Sequence, residues 1–208
     1  MDGTVSIVES AASCGTTCVG SSDIGYTGEA EYASIYNPSS AAKSYLVIVD
    51  SFMGDMGTFD LSATAFTTGP DDACTTATTT LSAGMLAGQT LAGFNNTYSG
   101  RDGCLFGSGP DRVYKLTIPA IQTPTDTSGT GPDLVLDLIE GPASACDSAQ
   151  RACLDTADAN AEGGDETATY ANTTASPVDV FVLVGDYKPA GSSPDAGVAT
   201  FSLDVQIP

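Results

Sequence analysis

The sequence predicts an all-β protein, an antiparallel β-sandwich of jelly-roll type, and three observations carry that prediction. Apolar residues alternate with period 2 in Val113–Ile118, Val135–Ile139 and Thr200–Ile207, the spacing that places every second side chain on one face of a strand. Tyr45–Val49 and Val180–Val184 are continuous apolar runs of strand length, suited to central strands buried on both faces. Turn chemistry punctuates the chain, with 23 glycines, 11 prolines, and Gly-Pro-Asp at 69–71, 109–111 and 131–133, each shortly before a strand-like stretch. Proline fixes φ and aspartate bonds the local backbone, which is how a turn is specified. The helix signal is confined to Ala145–Ala152. Many short strands separated by Gly/Pro turns argue for a sandwich or jelly roll over other all-β designs.

Composition narrows the function classes. The 208 residues carry 26 acidic and 6 basic side chains, a formal net charge of −20. A near-absence of Lys and Arg argues against nucleic acid, which needs a cationic footprint, and against anionic membrane surfaces. No apolar run approaches the roughly 20 residues that span a bilayer, so no membrane insertion is expected. The chain contains no histidine, which removes Ser-His-Asp and Cys-His nucleophiles and every imidazole metal site. The opening Met-Asp-Gly-Thr-Val has neither a charged n-region nor an apolar h-region. No signal peptide is expected there.

Six cysteines, Cys14, Cys18, Cys74, Cys104, Cys146 and Cys153, suggest disulfides and an oxidising compartment. Local spacing suggests Cys14–Cys18 and Cys146–Cys153 as small staples, leaving Cys74–Cys104. Zinc finds no CxxC pair to build on. An extracellular or cell-surface location then implies a processed piece of a longer precursor.

The chain repeats itself. Asp2–Glu9 resembles Asp133–Glu140, with Val5, Ile7, Val8 and Glu9 falling on Leu136, Leu138, Ile139 and Glu140. Each segment enters a cysteine loop, and from Cys18 and Cys153 onward the offset stays at 135 residues as far as Phe52 and Tyr187. At that offset Asp23 meets Asp158, Gly28 meets Gly163, Glu31 meets Glu166 and Asn37 meets Asn172. Tyr45–Val49 meets Val180–Val184. After one insertion, Phe59-Asp-Leu61 matches Phe201-Ser-Leu203. Residues from Asp71 to Pro132 have no counterpart before Asp2. Two units are therefore expected: residues 71–208 as one complete sandwich and residues 1–66 as the second half of another. That half is either truncated or completed by a partner chain, since an unpaired sheet edge is a template for strand addition.

The order of pieces in 71–208 resembles the bacterial pre-peptidase C-terminal domain in its cysteine-bearing extracellular form. The pieces are Leu86–Gly93, Gly109–Tyr114, Asp133–Asp137, the cysteine loop, Asp165-Glu166, Val180–Val184 and Gly197–Leu203. The resemblance covers essentially all of 71–208 and, for its second half, 1–66. It implies an eight-stranded jelly-roll sandwich, tolerant of calcium, that serves as an accessory module beside catalytic or adhesive domains. The half unit and the longer Gln122–Gly131 loop depart from the pattern.

The acidic loop from Cys153 to Glu166 is the best place for chemistry. Asp158, Asn160, Glu162 and Gly163 resemble the first half of an EF-hand loop, where oxygen ligands alternate and glycine permits the turn. The twelfth position is Thr169 instead of glutamate. Asp155, Asp158, Asn160, Glu162, Asp165 and Glu166 are the candidate calcium ligands, and solvated acids in a turn are the alternative. No cofactor is required. Asp71-Asp72 and Asp165-Glu166 are read as turn acids rather than as a glycosidase pair. Asn95 and Asn172 head Asn-x-Thr sequons. The chain carries no P-loop, Gly-x-Ser-x-Gly or dinucleotide fingerprint and is expected to be non-catalytic.

The expected function is a structural or interaction module, a disulfide-stapled β-sandwich array of a secreted or cell-surface protein. Its partners would be other domains of that protein or identical protomers. Two alternatives stand beside it: a calcium-supported carbohydrate- or protein-binding module, and a filament subunit whose half unit is completed by another protomer.

Overall fold

A computed structural model describes residues 2–10, 18–23, 25–54, 56–98, 104, 107, 109–120, 125–130 (backbone alone), 133–148, 151–160, 164–187 and 200–207. Eleven strands and one short helix are defined among them: β1 (Gly3–Val8), β2 (Gly20–Ser22), β3 (Leu46–Ser51), β4 (Gly84–Thr90), β5 (Asp111–Ile118), β6 (Thr125–Thr130), β7 (Leu134–Glu140), α1 (Ala143–Cys146), β8 (Cys153–Ala157), β9 (Asp165–Tyr170), β10 (Val178–Asp186) and β11 (Thr200–Gln206). They sort into three antiparallel sheets, ordered β2-β1-β3, β5-β10-β7-β8 and β4-β11-β6-β9. The two four-stranded sheets are drawn wholly from residues beyond 71 and pack face to face as a sandwich.

The alternating stretches β5, β7 and β11 form strands because one set of their side chains enters the space between the sheets. Tyr114, Leu116, Leu136, Leu138, Val182 and Val184 from one sheet meet Phe201, Leu203 and Val205 from the other. The apolar run of β10 is buried along most of its length because its odd-numbered neighbours have a second core to fill. Phe181 and Leu183 join Val113 and Ile139 on the outer face of the sheet, under Ala73, Cys74, Ala77, Tyr98, Cys104 and Cys146. A strand with both faces dry carries no polar alternation, which is why Val180–Val184 reads as an unbroken apolar run. The backbone at Gly107 closes over the end of β10 so tightly that a Cβ there would lie 1.8 Å from the Asp186 carbonyl oxygen. Only glycine fits.

The disulfides depart from the local staples that spacing suggests. Cys74 is bonded to Cys146 and Cys104 to Cys153, with Cα–Cα distances of 6.0 and 5.5 Å. The reason lies in the outer core. Each bond ties the covering segments, which carry Cys74 and Cys104, to the chain around α1 and the start of β8, where Cys153 lies opposite Ile139. A Cys146–Cys153 loop would leave that cover unattached. Cys18 is exposed with a free thiol, and Cys14, its expected partner, lies outside the described residues. The helix also sits earlier than expected, at Ala143–Cys146, over the outer core.

A peptide map without reductant should recover Cys74–Cys146 and Cys104–Cys153 linked fragments and no Cys146–Cys153 fragment. The double variant Cys74→Ala/Cys146→Ala opens a loop spanning 72 residues. Loop-closure entropy puts its cost at about 4 kcal/mol, read as a lower denaturant midpoint.

Candidate functional site: an open sheet edge beside repeated acidic loops

The sheet β2-β1-β3 is a strand-for-strand copy of β8-β7-β10. Val5 pairs with Val49 as Leu136 pairs with Val184, and Ile7 with Val47 as Leu138 with Val182. The same correspondence holds for all six β1–β3 pairs, from Gly3–Ser51 to Val8–Leu46. It extends to β2, where Val5 pairs with Ser22 as Leu136 pairs with Ala157. Beyond the strands, the Phe52 N–H donates to the Asp2 carbonyl at 2.9 Å, as Tyr187 N–H donates to Asp133 at 2.9 Å. The repeat in the sequence is thus a repeat of register.

The copies differ in what covers them. In the complete unit β10 is flanked on its far side by β5, from Val178–Ile118 to Gly185–Asp111. The equivalent edge of β3 has no neighbouring strand among the described residues. Val47 is 49% exposed where its equivalent Val182 is 0% exposed. Phe59 and Leu61 are 57% and 60% exposed where Phe201 and Leu203 are 2% and 0%. Leu46, Phe52 and Phe66 are also exposed.

Asparagine brackets mark the two edges. Asn37 Oδ1 accepts from Ser39 N–H and its hydroxyl, and its Nδ2 donates to the Ala41 carbonyl. Asn172 makes the matching bonds to Thr174 and Ser176. Asn172 then goes further, with Nδ2 also donating to the carbonyls of Ile118 (3.1 Å) and Pro119 (2.8 Å) at the end of β5. Fully buried, it works as a clamp on the docked strand, and its sequon nitrogen is committed to three carbonyls. Asn95, the other sequon residue, is engaged by Asp72 through N–H and Nδ2.

The acidic loops also repeat. Glu166 accepts from Ala159 N–H (2.8 Å) and Asn160 N–H (2.7 Å), while Glu31 accepts from Gly25 N–H (2.6 Å) and the Ser22 hydroxyl. These glutamates hold their loops by backbone amides. Asp155 accepts from Thr169 N–H and Asn160 donates to the Asp165 carbonyl. Asp165 and Asn160 are exposed, and Glu162 lies outside the described residues. The acids that bear on Asp158 are instead Asp133, Glu166 and Asp137: burial first, then their charges, push its carboxyl up to about 6. Asp23 is raised in the same way by burial, Glu31 and Asp2. The charges of Asp133 and Glu166 felt by Asp158 thus have their equivalents in those of Asp2 and Glu31 felt by Asp23, although among the described residues neither set of carboxylates converges to within 4.8 Å. Asp133 and Asp137 were not among the sequence candidates. Their signal was present, in the aspartate that heads β7 and in a lone acid within an apolar strand.

The remaining acids are pins. Asp71, in the left-handed region at φ 64°, accepts from the N–H and hydroxyl of both Thr78 and Thr79 and pairs with Arg112 at 3.4 Å. Burial would raise its carboxyl, but those donors outweigh it and hold it at about 2. Asp72 accepts from Gly69 and Asn95 N–H, and Asp147 from Cys74 and Thr75 N–H and the Tyr98 hydroxyl. Asp111 accepts from Thr97 and Tyr98 N–H through one oxygen while its buried Oδ1 has no partner. Burial pushes its carboxyl well above the usual range against the pull of those amides. Asp71 and Asp72 thus do more than shape a turn: they fasten segments together. Cys74, Cys146 and Asp147 also cluster, but both thiols are consumed in one disulfide. A cavity of about 240 Å³ between the two parts is lined by Lys43, Tyr45, Tyr98, Asp147 and Arg151, with Arg151 stacked 4.6 Å from the Tyr98 ring centroid.

Comparison with protein-family models, with curated proteins and with solved structures returns no match to this chain.

The pins predict opposite pH responses. Asp71, with a lowered carboxyl, contributes stability that is present above pH ~4 and lost as pH falls toward 2. Asp71→Asn should cost about 2 kcal/mol at pH 7 and much less at pH 2. Asp111, with a raised carboxyl, binds its proton more tightly folded than unfolded, so its ionisation costs stability as pH rises above ~4. Asp111→Asn should be neutral or stabilising at pH 7. Urea midpoints at the two pH values check both signs.

Proposed function

We propose that the chain is a non-catalytic structural and interaction module of an extracellular protein. The observation that carries the reading is where its polar groups are spent. The buried acids Asp71, Asp72, Asp147 and Glu166 engage backbone N–H groups, and the two disulfides fasten a cover to a sheet. Groups committed to holding loops are not free to act as nucleophile, acid or base. Two disulfides suit an oxidising compartment, and no helix among the described residues is long and apolar enough to cross a membrane. The strand orders β5-β10-β7-β8 and β4-β11-β6-β9 support the jelly-roll winding that a pre-peptidase C-terminal-like domain implies.

Calcium is a second reading, favoured by the recurrence of acidic charge at Asp158 and Asp23, whose carboxyls are both raised. A cation held there would relieve repulsion among Asp133, Asp158 and Glu166, and on this reading the acidic loops support binding of a protein or carbohydrate.

Protease challenge tests the main reading. Residues 71–208 should survive intact while oxidised and be cleaved after reduction. Equal degradation in both states would remove the disulfides as staples of an exposed module. Calcium at 1–5 mM should raise the melting temperature on the second reading, and Asp158→Asn should abolish that rise. Without calcium the same variant should stabilise the chain above pH ~6, because a raised carboxyl loses its favourable proton there. A melting temperature indifferent to calcium and chelator sets the second reading aside.

A further inference from the structure

We infer that the open edge of β3, with the apolar surface beside it, seats a strand-donating segment of the same build as residues 71–132, which pairs antiparallel with β3 in the register that β5 takes on β10 and joins covalently to Cys18. The inference rests on the reading of the chain as an interaction module and names the partner of that module.

Four observations converge. The acceptor sheet is already formed, in the same register as the sheet that accepts β5. Val47, Phe59 and Leu61, whose equivalents Val182, Phe201 and Leu203 are dry in the complete unit, are exposed here. Asn37 holds the loop geometry of Asn172 but lacks the two carbonyls of the docked strand that Asn172 clamps. Cys18, the equivalent of Cys153, is an exposed thiol, whereas Cys153 is bonded to Cys104 of the 71–132 segment. An edge alone would be a weak indication. Here the edge, the apolar face, the clamp and the thiol all await the same missing piece, and the chain itself displays that piece in place.

Stoichiometry excludes the 71–132 segment of a second copy as the occupant. The described residues hold two acceptor sheets, β2-β1-β3 and β8-β7-β10, and one donor segment, within 71–132. Copies can exchange donors without increasing their number, so one acceptor per chain stays open in any assembly of copies. The inferred donor is therefore a further segment of that build, not the 71–132 segment already docked on β10. Transferring the β10 register onto β3 places the donor's counterpart of Arg112 opposite Val49, of Tyr114 opposite Val47, of Leu116 opposite Tyr45 and of Ile118 opposite Lys43. Main-chain bonding provides the attachment and alternate apolar side chains provide the selectivity, as in other strand-addition interfaces.

The covalent step is thiol–disulfide exchange. The Cys18 thiolate attacks the sulfur of a donor cysteine held as a mixed disulfide with a small thiol. The Cys18–donor bond forms, the small thiolate leaves, and it takes up the proton that Cys18 gave. No further oxidant is needed.

The probe is a peptide copying residues 101–120, with its cysteine capped by glutathione, mixed with the full oxidised chain without reductant. The expected result is a 1:1 adduct mapped to Cys18, with amide exchange over residues 43–50 slowed about tenfold or more. A peptide scrambled over 109–120 should react about tenfold more slowly and protect nothing. Cys18→Ser should lose the adduct and keep some protection. Val47→Lys and Asn37→Ala, both at partly exposed positions, should weaken protection severalfold while leaving the melting of 71–208 unchanged. Equal reaction of native and scrambled peptides without β3 protection overturns the inference. So does protection confined to β10, or concentration-dependent β3 protection in the chain alone, which would make another surface of a second copy, such as its own β3 edge, the occupant. A Cys14–Cys18 bond in the isolated chain overturns the covalent part. If the peptide fails while 71–208 still resists protease only when oxidised, the donor inference falls and the module reading stands.

Discussion

Strand β10 must be dry on both faces, and the complete unit is arranged around that constraint. Its even-numbered residues Val182 and Val184 face the opposing sheet, while Phe181 and Leu183 face outward into a second core. A sandwich supplies the first cover by its own geometry. The second cover has no sheet to supply it, so a short irregular segment around Ala73–Ala77, with Tyr98 and α1, is laid across the outer face. Irregular backbone buried in this way must have its N–H groups satisfied. Asp147, Asp111 and Asp71 do that, and the two disulfides stop the cover from lifting. The pins, the cystines and the chain's unusual acids thus answer one requirement.

The half unit separates two things that the complete unit combines. Its three strands keep the full pairing register of β8-β7-β10, so the hydrogen-bonded ladder does not depend on the cover. Side-chain burial does. Full burial of a Val, Leu or Phe is worth roughly 1.5–3 kcal/mol, and Val47, Phe59 and Leu61 forgo much of it. Residues 59–61, which correspond to β11, are not in a strand at all, because β11 is held between β4 and β6 and neither has a counterpart here. Strand propensity alone did not make a strand of Phe59-Asp-Leu61. Partners make strands.

What could be read in the sequence follows from how local each signal is. Period-2 alternation in Val113–Ile118 and Thr200–Ile207 depends only on the pleat, and β5 and β11 lie where it places them. The repeat was legible because paired strands conserve spacing, and the offset of 135 residues survives as register. Cysteine pairing was not legible. Cys146 and Cys153 are near in sequence, yet both reach to covering segments 72 and 49 residues away, and nothing local records that an outer core needs fastening. The acidic loop was half legible. An EF-hand template arranges ligands along one turn of chain, but here β9 begins at Asp165 and sends Glu166 back onto the loop's own amides. The acids whose charges raise Asp158 include Asp137 on β7 and Asp133 just before it. That coupling runs through the sheet, which sequence distance does not reveal.

The net charge of −20 acquires a physical explanation from the same contacts. An acidic chain with 6 basic residues cannot balance its buried carboxylates with ion pairs, and Arg112 with Asp71 is the partly buried exception among the described residues. Backbone amides serve instead: Thr78 and Thr79 on Asp71, Asn95 on Asp72, Cys74 and Thr75 on Asp147, Ala159 and Asn160 on Glu166. An amide dipole is fixed by the fold, carries no long side chain to order, and stands in for a cation at a buried carboxylate. Each such bond links a side chain on one segment to the backbone of another, so charge compensation and loop attachment become one act. Removing the scarce cations from the surface would therefore leave these buried acids largely undisturbed, whereas unlatching a loop would strand a carboxylate and free its amides together. The acidity of the chain is thus built into how its covering loops are held, and a depleted Lys and Arg content is compatible with a well-fastened core.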